Sequence, residues 1–221
     1  MCGRYTLATP ADLISEHFDL PEPPEVVSRY NIAPSQETLI VGARRDRRRA
    51  AGLAVWGLTT SSAAASGKKP LINARIETVD QKPAFREAFS RRRCLVPADG
   101  FYEWRIDPHG KTPHYFSLGD SRLFAFAGIW NQPAADCDLV TFAILTTEPN
   151  QIVGPVHRRM PVILPRDHYD LWLAKRELSR PETEIFATPF PETRMESREV
   201  SPLVNSPAND TATCIQSVEG S

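Results

Sequence analysis

Cys2, behind Met1 and ahead of Gly3, is placed to do a chemistry that no internal cysteine can do. Removal of Met1 leaves it with a free α-amine and a thiol on adjacent carbons. An α-amine with a pKa of roughly 7.7–8.0 and a thiol near about 8.5 are both partly deprotonated at neutral pH. Such an amine condenses with an aldehyde to a Schiff base, and the thiol then closes a five-membered thiazolidine. The same thiol can instead attack a carbonyl with the amine as its base. A short side chain followed by Gly3 is the kind of start from which methionine is readily trimmed.

Four further polar residues stand in apolar or tightly turned surroundings. Glu103 lies between aromatics in Gly100-Phe101-Tyr102-Glu103-Trp104, where desolvation would raise its pKa and suit it to general acid–base work. Asn73 follows Leu71-Ile72 and precedes Arg75, Thr146 ends the apolar run from Phe142 to Leu145, and His157 follows Gly154-Pro155-Val156. Each has a plainer reading beside the chemical one. Asn73 can hydrogen-bond backbone, Glu103 can sit on the polar face of a strand, and His157 can be a structural imidazole.

The elements that must position these residues belong to an ordinary globular chain. It has 221 residues, is 41% hydrophobic and 24% charged, and carries 20 prolines, which disfavour long helices. No apolar stretch approaches the roughly 18 residues that span a bilayer. No basic-then-apolar leader is present, so the expected location is the cytoplasm. Cys2, Cys94, Cys137 and Cys214 form no C-x-x-C pair, which gives no support to a zinc site or a disulfide framework. Cys94, in the run Cys94-Leu95-Val96-Pro97, reads as an inert buried thiol. Net charge is −1, but residues 1–111 hold 17 Lys/Arg against 13 Asp/Glu while the rest of the chain is acidic. Arginine suits bidentate phosphate contacts. The group between Arg44 and Arg49 reads as a solvated hairpin tip, whereas Arg91-Arg92-Arg93 and Arg158-Arg159 lean towards function.

Thr9-Pro10-Ala11-Asp12 reads as a helix start with Thr9 as N-cap and Pro10 in the first turn. Arg29–Pro34 reads as an extended loop, and Thr38–Ala43 and Leu53–Leu58 as strands. Thr59–Lys69 is a small, polar surface loop. Phe85 and Phe89 place a short helix on the core. Strands are expected at Cys94–Pro97, Phe101–Ile106, His114–Leu118, Leu123–Trp130 and Leu139–Thr146, with a short one at Pro161–Leu164. Helical turns follow at Pro165–Ala174 and Pro181–Ala187. This order implies an α+β fold: a strongly curved, mostly antiparallel, barrel-like sheet with a few short peripheral helices. A single domain over residues 1–205 and a disordered tail over 206–221 complete the expectation.

Met1-Cys2-Gly3-Arg4-Tyr5, Arg29–Pro34, Trp56-Gly57-Leu58, Leu71–Thr78, Cys94–Trp104 and His157-Arg158-Arg159-Met160-Pro161 together resemble the SRAP family, the SOS-response-associated peptidases that shield abasic sites. The resemblance runs in order from residue 2 to about 205. It implies that the processed Cys2 condenses with the ring-opened aldehyde of an abasic deoxyribose in single-stranded DNA, giving a thiazolidine crosslink. Carried over, Asn73 would position amine and sugar, Glu103 would shuttle protons, and His157 would serve the ring-opening oxygen. Thr146 would line the pocket, and Arg4, Arg75, Arg158 and Arg159 would grip DNA. It also implies peptidase-type removal of Met1 and lyase-like release, without metal or other cofactor, in a monomer that associates with the nucleoid when engaged on DNA. One departure is the loop Thr59–Lys69, which lacks the aromatic pair that wedges against bases in enterobacterial members; Lys68 and Lys69 offer charge instead. Two other classes compete: an N-terminal-nucleophile amidohydrolase, whose downstream motifs are missing, and a non-catalytic single-strand-binding module.

Overall fold

The computed structural model describes residues 2–59, 69–108, 110–119, 123–132 and 139–218. Met1, Cys137, and most of the Thr59–Lys69 loop with Lys68 lie outside them. The chain is a mixed α+β structure built on two sheets. The first has the order β13-β8-β7-β1-β2, formed by Met195–Glu199, Gly110–Leu118, Gly100–Asp107, Tyr5–Leu7 and Arg29–Ile32. The second contains β3 (Glu37–Ala43), β4 (Arg49–Trp56), β6 (Arg93–Ala98), β9 (Phe124–Asn131) and β10 (Thr141–Thr147). These five close on themselves, because β10 pairs with both β4 and β9. β5 (Asn73–Arg75), β11 (Met160–Pro161) and β12 (Ile163–Leu164) extend that ring.

The ring explains why β6 and β10 are buried at every position and read as unbroken apolar runs: both faces are covered. Inside, Tyr5 packs edge-on against Trp56 and Phe126, and Phe101 stacks on Phe116 with ring centroids 5.0 Å apart. Gly128 of β9 is required by close approach, since a Cβ there would meet Val96 Cγ2 at 2.7 Å and Cys94 Sγ at 2.8 Å. Short helices sit outside: α1 (Ala11–His17), α2 (Pro83–Arg91), α3 (Tyr169–Leu173) and α4 (Arg180–Ala187). Phe85 and Phe89 of α2 are buried as their spacing requires, and α4 starts with a capping box between Ser179 and Glu182. No helix among the described residues is long and apolar enough to cross a membrane.

Several expectations are corrected. Pro10, not Thr9, is the N-cap of α1 and makes no side-chain cap; the Thr9 hydroxyl donates to Asp99 instead. The expectation of mostly antiparallel pairing holds, although β10 pairs with β4 and β5 in parallel. Arg29–Ile32 is a strand. Arg93 is a packing residue: its buried guanidinium donates to the carbonyls of Phe89, Ser90, Trp172, Ala174 and Arg176. Arg92 binds Glu87 and the Trp130 carbonyl. The tail is also folded as far as residue 218. Asp210 accepts from Arg29 Nε and from the N–H groups of Tyr30 and Asn31, while Cys214 is fully buried. Polar composition concealed this because the segment docks through side-chain-to-backbone bonds and a few separated apolar residues, Val204 and Cys214 against Tyr102 and Tyr115, rather than through a periodic apolar stripe.

Candidate active site

The N-terminal arm enters the site alongside β7. Tyr102 N–H donates to the Arg4 carbonyl at 3.0 Å, so residues 2–4 run beside Tyr102 and Glu103. Cys2 has no exposed surface, and its carbonyl accepts from Asn73 Nδ2 at 2.7 Å. β5 delivers Asn73 by pairing in parallel with β10, Asn73 opposite Ile144 and Arg75 opposite Thr146. Asn73 Oδ1 is buried and accepts no hydrogen bond among the described residues.

Glu103 is only 3% exposed, and burial pushes its carboxyl up to about 7. Its Oε1 lies 3.7 Å from His157 Nδ1. The same nitrogen is 2.9 Å from the Arg159 carbonyl and 3.1 Å from the Arg159 N–H, so the tautomer selects between donating and accepting. Burial, ahead of the other causes, lowers the His157 pKa, which favours a neutral ring. Burial and then the Glu103 charge push the Cys2 thiol well above its ordinary value. This revises the expectation of a partly ionised thiol: in this setting Cys2 is held as S–H.

A cavity of about 360 Å³ opens beside this cluster, lined by Arg4, Glu103, Trp104 and His157 among others. Its rim is built by the C-terminal segment. Arg4 Nη1 donates to Asn31 Oδ1 at 2.9 Å and to the Val204 carbonyl at 3.2 Å, and its guanidinium lies 5.9 Å over the Trp104 ring. Trp104 Nε1 in turn donates to Asn205 Oδ1 at 2.7 Å. Asn31, fully buried, donates through Nδ2 to the carbonyls of Val204, Ser206 and Asn209. Cys2, Arg4, Asn73, Glu103 and His157, scattered over the sequence, thus converge on one site. Asn31 and Asn205 were not foreseen. An Asn inside the hydrophobic-flanked strand Arg29–Ile32 was the available signal for the first; nothing local marked the second.

The family model described as SOS response associated peptidase (SRAP) matches residues 1–207. The chain belongs to the SRAP family. The SRAP chain is 41% identical over 227 residues to the abasic site processing protein YoqW of Bacillus subtilis, covering 98% of this chain and 100% of that protein. It is likewise 41% identical over 220 residues to YoaM, another abasic site processing protein of Bacillus subtilis, covering 96% of each. Among solved structures, a protein from Bacteroides thetaiotaomicron superposes with a TM-score of 0.84 at 24% identity, covering 99% of this chain and 100% of that one.

The remaining residues expected at the SRAP site divide. Arg75 and Arg158 are exposed and make no ion pair among the described residues. Arg159 does not present its guanidinium to solvent: it is 6% exposed and is held by Glu77, Glu148 and the Thr146 carbonyl. Its geometry is that of a buried tie between β10 and the turn after β5, and it does not serve as a phosphate grip. Thr146 has no exposed surface and bonds the Ala74 carbonyl through Oγ1 at 3.4 Å, bracing β5. Among the described residues, no group of three or more His, Cys, Asp or Glu is placed to hold a metal ion.

Proposed function

We propose that, after removal of Met1, the protein traps abasic sites in single-stranded DNA as a thiazolidine crosslink through Cys2. The observation that carries this reading is the buried Glu103 carboxyl, raised to about 7, acting on the Cys2 thiol and lying 3.7 Å from His157. An acid that is half-protonated near neutral pH can give a proton to a departing hydroxyl and take one back. The Cys2 α-amine adds to the sugar aldehyde, and protonation by Glu103 releases water and leaves an imine. The thiol then adds across the imine, forming the S–C bond while its proton passes, through Glu103, to the nitrogen. A thiol held as S–H suffices because ring closure is intramolecular and its proton acceptor is adjacent. Asn73 fixes the Cys2 carbonyl and so the direction of the amine. His157, neutral, serves the oxygen that leaves when the deoxyribose ring opens. Arg4, Arg75 and Arg158 attract the phosphates. The names of the Bacillus relatives support the same substrate class.

The test is a denaturing gel with a single-stranded oligonucleotide bearing one abasic site, read together with the intact mass of the protein. Purified protein lacking Met1 gives a heat-stable shifted band. Cys2→Ser gives at most an adduct that needs borohydride to survive, and Cys2→Ala gives no stable ring. An equally stable band from Cys2→Ala rejects the assignment. Glutamine hydrolysis without a band would point to an amidohydrolase, and salt-sensitive binding alone to a binding module.

A further inference from the structure

We propose that His114 is a positioning residue for Glu103, its imidazole setting which proton state the carboxyl holds when the Cys2 adduct forms. This rests on the reading of Glu103 as the acid beside Cys2. In the β7–β8 pair His114 is the direct partner of Glu103, and in the β8–β13 pair it is the partner of Glu199. Directly opposed residues share a sheet face with Cβ atoms about 4.5–5.5 Å apart. A row Glu103–His114–Glu199 therefore crosses three strands on the face that carries Phe101 and Phe116 into the core. His114 Nε2 is buried and has no hydrogen-bond partner among the described residues, so this ring nitrogen is not committed to any other side chain there.

The charges around the pair define its behaviour. Among the described residues, Cys2 and Arg4 on the N-terminal arm, His157 beyond β10, Lys111 on β8, Arg105 on β7 and Glu199 on β13 are the titratable or charged groups at Glu103 and His114, and the chain's α-amine opposes the effect of burial on Glu103. Burial first and Arg105 second hold His114 below the ordinary imidazole range, against the opposing pull of Glu199. A neutral His114 can take a hydrogen bond from protonated Glu103, or give one to its carboxylate after tautomer exchange. Arg105 also reaches Glu199 at 3.8 Å, which ties the outer end of the row to solvent-facing charge.

Two measurements on the full, processed chain test this. The first is the pH profile of the crosslinking rate with the abasic oligonucleotide. His114→Phe is expected to displace the midpoint by about half a pH unit or more, and His114→Gln, which keeps a polar atom in the Nε2 position, to restore it. A rate lowered equally at every pH, with the midpoint unmoved, would mean a merely structural histidine and overturn the proposal. The second is the NMR titration of the His114 ring without DNA, in wild type and in Glu103→Gln. Coupling is reciprocal, so the His114 midpoint is expected to move; an unmoved midpoint overturns it. If wild type never crosslinks while His114 still responds to Glu103→Gln, the proposed function fails and the pairing stands.

Discussion

Glu103 ties the chemistry of the site to the stability of the fold. Its pKa rises from 4.5 to about 7 because burial penalises the carboxylate. Between those values the folded chain binds more protons than the unfolded chain, so stability falls as pH rises through the window. The burden is complete above about pH 7 and absent below the unfolded value, and a shift of this size is worth on the order of 3 kcal/mol. Glu103→Gln removes it. Thermal unfolding at pH 5 and pH 8 is expected to give a wild type that loses ground at the higher pH and a variant in which that loss is largely erased. An equal loss in both proteins would place the ionisation elsewhere. The residue's desolvation was legible in the sequence because an acid flanked by aromatics demands an explanation. The thiol was misjudged for a related reason: composition cannot report that Cys2 is fully enclosed.

At the level of elements, arginines separate into those that build and those that face solvent. Arg93 gathers carbonyls from the end of α2, from α3 and from the stretch after it, and its guanidinium lies 5.8 Å over Trp172. Arg93→Met keeps the aliphatic stem but leaves those buried acceptors unmet. The expected cost is about 3 kcal/mol or more, measured by urea unfolding; a loss below about 1 kcal/mol would show that the carbonyls find other donors. Sequence reading could not separate Arg93 from Arg91, since both stand in one basic run and only the register of β6 against β9 turns one inward. Strands with apolar alternation or long apolar runs, such as β3, β6, β9 and β10, were found close to their true bounds. β13, with the sequence Met-Glu-Ser-Arg-Glu, was missed because it is a polar edge strand stabilised by its pairing with β8. Asn73 was singled out in the sequence as a residue of interest, yet its strand was not recognised, because three residues carry too little periodicity.

For the whole molecule, a net charge of −1 means that attraction to DNA must be local rather than global. Under the proposed function, Arg75 and Arg158, exposed and without ion pairs among the described residues, are expected to reach phosphates. Affinity for undamaged single strands should fall with salt at a log–log slope of about −0.7 per phosphate contacted. Arg158→Gln is expected to flatten that slope by roughly one such contact, and Arg159→Gln, whose side chain is enclosed, to leave it unaltered while lowering stability. Fluorescence anisotropy across a salt series decides between them.

Because Val204, Asn205 and Asp210 hold Arg4, Trp104 and the strand Arg29–Ile32, the order of synthesis matters. A ribosome delivers Cys2 first and the strap that completes its surroundings last. Through most of translation the amino end therefore waits without the wall that will orient it. Under the proposed function, the reaction at residue 2 would find its full surroundings only once residues 204–210 have docked on Arg4 and Trp104.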